Sequence, residues 1–83
     1  MKTKYRFIHF VMIYSTDKTQ VWDCRNNRNG GSLGTVRRYY PWDQDCFVPE
    51  GNTVFSAGCL ADIQTFIEQL HRELGQKKRG KNE

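Results

Sequence analysis

The chain has 83 residues, 37% hydrophobic and 27% charged, and a net charge of +4, which allows one small domain and excludes a second core. Three of the four net charges come from residues 76 to 83, where Lys77, Lys78, Arg79 and Lys81 stand against Glu83. The nine basic and eight acidic side chains of residues 1 to 75 leave a nearly neutral body, so the pI of 9.2 does not by itself mark a nucleic-acid-binding surface. Residues 76–83, rich in Lys and Gly, read as a disordered basic tail on a single domain spanning residues 1–75.

Cys24, Cys46 and Cys59 are odd in number and widely spaced. With no Cys-x-x-Cys pair and no His-x-x-x-His spacing, they encode neither a disulfide framework nor a zinc finger. They read as small apolar core residues in a reducing compartment, in preference to a metal site assembled with His9 and His71. The run Phe7 to Tyr14 is too short to span a bilayer and has no small-residue cleavage site, so no membrane partner is expected and the location reads as cytoplasmic.

In chain order, the β-branched and aromatic run Tyr5 to Tyr14 predicts a first strand, and Ser15-Thr16-Asp17-Lys18 a turn. Thr19 to Arg25 predicts a second strand, with Trp22 and Cys24 on one face and Val21, Asp23 and Arg25 on the other. Asn26 to Gly31 reads as a hairpin loop, since Asn and Gly accept positive φ. A third strand over Ser32 to Tyr40 ends at Pro41, and Gly34 within it signals a bulge or a close backbone approach. Asp45 to Val48 predicts a short fourth strand bounded by Pro49.

A C-terminal helix follows from Leu60, Ile63, Ile67, Leu70 and Leu74, spaced by three and four, with Phe66 flanking the stripe. Ser56 is the expected N-cap, Phe55 and Leu60 have hydrophobic-staple spacing, and Gly75 suits a left-handed stop. The fold class is α+β: an antiparallel meander of three to four strands with one C-terminal helix packed on one face. The other face is left open, and function is expected there.

Several features together resemble a family of short uncharacterised proteins scattered through bacterial and phage genomes. They are Trp22-Asp23, the Gly-rich hairpin, Leu33-Gly34-Thr35-Val36, Tyr39, Pro41-Trp42, Cys46-Phe47, Pro49-Glu50 and Leu60-x-x-Ile63-x-x-Phe66-Ile67. The resemblance spans roughly residues 18 to 74. The family has Lys-Trp-Tyr-Gly where this chain has Arg37-Arg38-Tyr39-Tyr40, and a basic and an aromatic residue where it has Asp43 and Asp45. It implies a cytoplasmic setting in a bacterial or infected host cell and carries no activity with it.

For chemistry, Asp43, Asp45 and Glu50 lack the ligand spacing of a calcium loop and read as a solvated turn that keeps an edge strand from pairing. His9 and His71 lie in no nucleophile motif, and Asn29-Gly30-Gly31-Ser32-Leu33-Gly34 joins strand to strand where a phosphate-cradling loop would open a helix. No enzyme, metal or cofactor is therefore expected. The favoured reading is a nucleic-acid-binding module, with DNA as the expected ligand. Arg25, Arg28, Arg37 and Arg38 would meet phosphates, Tyr39, Tyr40 and Trp42 would stack on bases, and Lys77, Lys78 and Arg79 would add non-specific attraction. Alternation places Arg37 with Tyr39 on one face and Arg38 with Tyr40 on the other. The alternative is a phage or mobile-element accessory protein that inhibits or modulates a host protein, since Trp, Tyr and Arg are the residues of interface hot spots. An edge strand could also pair two copies into a homodimer. Against both stands a plainer reading, in which the rings are core or edge packing.

Overall fold

A computed structural model describes the backbone of residues 1–82 and the side chains of residues 1–74. Four strands run β1 (Ile8–Ser15), β2 (Gln20–Asn26), β3 (Ser32–Tyr39) and β4 (Gln44–Pro49), followed by α1 (Ala57–Asn82). The strands form one antiparallel sheet in the order β1-β2-β3-β4, the α+β meander that the turn residues and periodicities imply.

Period-two alternation divides the sheet between two surfaces. Toward the helix run the opposed rows Phe10–Cys24–Gly34 and Met12–Trp22–Val36–Phe47. Ile63, Phe66, Leu70 and Leu74 of α1 close over Ile8, Phe10, Trp22, Cys24 and Val36 in a single core. Phe66 is its centre: its ring stacks on Phe10 at 3.9 Å and meets Trp22 edge-on at 5.2 Å. Each fully buried Leu, Ile or Phe of this set contributes about 1.5–3 kcal/mol by leaving water.

Two expectations for the helix need correcting. The stripe is Ile63–Phe66–Leu70–Leu74, with Leu60 52% exposed and Ile67 half-buried. Both registers satisfy helical spacing, and the one adopted puts the larger ring between Phe10 and Trp22. Gly75 is not a stop, because α1 runs through it to Asn82; an interior glycine costs a helix only about 1 kcal/mol. The expected disordered tail, residues 76–83 with Lys77, Lys78 and Arg79, lies outside the described side chains. At the other end Ser56 is the N-cap, its Oγ accepting the Cys59 N–H at 3.1 Å.

The first strand also starts later than its composition suggests. Residues 3–5 fold back along the outer edge of β1, where Lys4 bridges His9 and Phe10 N–H donates to Thr3 C=O at 2.8 Å. The turn exists because Tyr5 is a core residue, edge-on to Phe10 at 5.9 Å. Asn27 Nδ2 donates to the carbonyls of Tyr5 and Arg6, and the Gln69 amide exchanges two 2.8 Å hydrogen bonds with the Lys2 backbone.

Gly34 answers to both signals read from it. The register slips beside it, between Cys24 and Arg25, and its φ of +156° disfavours side chains. A Cβ there would stand 2.6 Å from both the Phe47 ring and the Val48 carbonyl oxygen. The missing side chain is the seat of Phe47, which in turn meets Phe55 edge-on at the helix entrance. A second register shift, between Met12 and Tyr14, sits near the end of β1.

Candidate binding surface

The sheet face turned away from α1 carries the opposed row Val11–Asp23–Thr35–Val48. Flanking it are His9 opposite Arg25 and, toward the other end, Arg37 opposite Cys46 and Tyr39 opposite Gln44. Nothing among the described residues packs over this face as a second layer. Arg37 and Tyr39 are thus the outward pair that alternation allowed, and Arg38 belongs to the helix side, opposite Asp45.

The four arginines do not form one patch. Arg25 is half-buried, and its Nε donates to Asp23 Oδ2 at 2.7 Å. That carboxylate is itself buried and accepts the Ser32 hydroxyl at 2.6 Å. The pair and its hydroxyl neutralise the centre of the open face. Arg38 is ion-paired with Asp43 of the following turn. Arg28 lies on the β2–β3 loop at the far end of the sheet, where it shares the rim of a 590 Å³ cleft with Arg6 and Phe7. Only Arg37 is both exposed on the open face and without an ion pair among the described residues.

The rings are more concentrated than the charges. Tyr39 and Trp42 meet edge-on at 5.1 Å, with Trp42 67% and Tyr40 75% exposed. They are held out by the β3–β4 turn, in which Asp43 takes φ +55° and the N–H groups of Trp42 and Asp43 donate to Tyr39 and Tyr40 carbonyls. None of these three rings belongs to the core, so for them the core half of the plainer reading does not hold, while the Tyr39–Trp42 contact is packing between two exposed rings. For Trp22 the core half holds, since that ring is buried against Phe66.

Sequence reasoning missed the Asp23–Arg25 pairing, although two opposite charges at i and i+2 on a strand necessarily share a face. It also missed Tyr14 and Lys18, which line a cleft with Tyr40 and Arg38. In a meander the first and third turns share one end of the sheet, so that signal was present in the order of the strands. Asp45, expected in a solvated turn, is buried and lines a groove with Ile67, His71 and Arg72.

Cys24 is fully buried, and its thiol is pushed up to about 12 by burial, with the neighbouring Asp23 and Cys59 adding to the effect. It is therefore a core group, protonated at neutral pH. Among the described residues no cluster of three or more His, Cys, Asp or Glu side chains is placed to hold a metal ion, and no helix is long and apolar enough to cross a membrane. No family model, curated protein or solved structure matches the chain.

Proposed function

We propose that the protein is a non-enzymatic binding module that docks nucleic acid on the open sheet face, acting in the cytoplasm of a bacterial or infected host cell. The observation that carries this reading is the exposed Tyr39–Trp42 pair beside Arg37, on a face that no helix covers. A guanidinium next to aromatic faces suits a polyanion with stackable bases, and sheets backed by helices can present strands to a groove. Lys77, Lys78 and Arg79 would add sequence-independent attraction.

The test is titration of the full chain with labelled oligonucleotides at several salt concentrations. Arg37→Gln should weaken binding and flatten the salt dependence, and replacing Lys77, Lys78 and Arg79 by Gln should leave measurable affinity. Loss of all binding in that triple variant would remove the open face from the proposal.

A protein partner is the second reading, and the neutralisation of Arg25 by Asp23 favours it, because a face with few net charges resembles an interface core. Under that reading Trp42→Ala abolishes co-purification of one host protein without changing the melting temperature. Homodimerisation through an edge has less support. The outer edge of β1 is partly occupied by residues 3–5, and β4 is short and ends in Pro49.

A further inference from the structure

The ends of the sheet differ in a way that bears on which nucleic acid fits. The β1–β2 and β3–β4 turns lie side by side at one end, and between them is a cleft of about 530 Å³ whose lining includes Tyr14, Thr16, Lys18, Arg38, Tyr40 and Asp43. That volume is in the range of small-ligand clefts. On the same β3–β4 turn Tyr39 and Trp42 form their edge-on pair. One corner of the molecule therefore presents Tyr14, Tyr39, Tyr40 and Trp42, each between 42% and 75% exposed.

We infer that the ligand is a single strand, and that unpaired bases stack at this corner, on the Tyr39–Trp42 pair and in the Tyr14–Tyr40 cleft. The inference rests on the nucleic-acid reading and deepens it. Duplex binding draws its affinity mainly from many phosphates neutralised at once. The open face is poorly supplied for that: Arg38 lies on the helix side and is held by Asp43, and Arg25 is held by Asp23, which leaves Arg37 as the arginine of this face without an ion pair among the described residues. A paired base keeps both faces inside its own stack and cannot use an exposed ring. An unpaired base can, and base–aromatic stacking tolerates any sequence because every base has a π-face. Arg37, two residues before Tyr39 on β3, and Lys18, which lines the Tyr14–Tyr40 cleft, are the cations available to backbone phosphates of stacked nucleotides. The observation that decides between strand types is thus local: at this corner four exposed rings stand with Arg37 and Lys18 as the cations outside the two ion pairs.

The experiment uses the full chain and three labelled probes: oligothymidylate and oligouridylate of about 20 nucleotides, longer than the ~4–16 nucleotides a single OB-type domain covers, and a duplex of the same length. At equal salt, one or both single strands should bind at least roughly tenfold tighter than the duplex, with stacking rather than phosphate contacts setting the difference. The thymidylate and uridylate arms distinguish DNA from RNA as the source of the unpaired base. Tryptophan fluorescence should be quenched on binding, reporting Trp42 because Trp22 is buried. Tyr40→Ala should cost roughly 5- to 100-fold in single-strand affinity with the salt slope unchanged, and Tyr40→Phe should restore it. Duplex binding equal to or tighter than single-strand binding overturns the inference and leaves the nucleic-acid reading standing. Binding to none of the probes overturns both. Single-strand binding that survives Tyr40→Ala and Tyr14→Ala unchanged overturns the corner as its site.

Discussion

The two faces of the sheet are built from the same four strands, residue by alternate residue, and they solve opposite problems. The helix side has Phe10, Trp22, Cys24 and Val36 under α1, with almost no solvent exposure. The open side has a polar centre, Asp23 with Arg25 and Ser32, and no covering layer among the described residues. Apolar burial stabilises the first, whereas the second stays open to water because its middle is hydrogen-bonded rather than greasy. Under the proposed function, stability and recognition would fall to different side chains of the same strands.

The largest test of that division is Phe66→Ala, which should cost about 3–5 kcal/mol by emptying the space between Phe10 and Trp22. For a domain of this size such a loss approaches the whole stability, so the variant should lack a cooperative thermal transition. A variant that melts within a few degrees of the parent would show that α1 does not seal this face.

Alkaline pH probes the same face at one atom. Burial first, then Asp23 and Cys59, raises the Cys24 thiol from 9.0 to about 12 in the fold, while an unfolded chain ionises it near the ordinary value. The native state therefore holds a proton that the unfolded state loses, and stability from this group is fully present below pH 9 and falls as pH rises toward 12. Tyr5, raised by burial and then by Asp62, acts in the same direction. Urea midpoints across that window should fall less steeply for Cys24→Val than for the parent; parallel curves would mean that the thiol titrates as if exposed.

Gly34→Ala comes next, at about 1–3 kcal/mol. The added methyl would meet the Val48 carbonyl, which cannot swing aside as a flexible side chain could, and the Phe47 ring, which would have to leave its seat. A neutral outcome would require β3 and β4 to separate without loss, contrary to the tight register through Gly34–Pro49.

How far these features were legible depended on whether the signal was local. Strand order, the Asn-Gly loop and the Ser56 cap are written in neighbouring residues, and all three are present in the fold. Gly34 was readable too, because a glycine inside a strand, here between Leu33 and Thr35, has few reasons to exist. The centring of the core on Phe66 was not, since Leu60 and Phe66 satisfy the same helical spacing and only the ring of Phe10 across the core decides between them. The N-terminal arm was illegible for a similar reason. Tyr5 continues a strand-like run, and the turn there depends on partners further along the chain, the Phe10 ring and the Asn27 amide. On the open face alternation placed Arg37 and Tyr39 together, but composition counted four arginines where ion pairs with Asp23 and Asp43 leave fewer to bind.

Asp23→Asn gives the smallest expected change in stability and the sharpest comparison of the faces. The carboxylate is buried but its Arg25 partner is 39% exposed, so losing the pair should cost only about 1 kcal/mol. On the covered face an equivalent charge change would be far more disruptive. The substitution also releases Arg25 onto the surface proposed for nucleic acid, where it can reach a phosphate. Affinity should then rise, and the slope of log affinity against log salt should steepen by about 0.7–0.9, one additional contact. A variant with unchanged slope would mean that Arg25 does not meet the ligand and that the docked strand keeps to the Arg37 end. A collapse of the melting transition would mean instead that the polar centre holds the sheet together as firmly as the apolar one does.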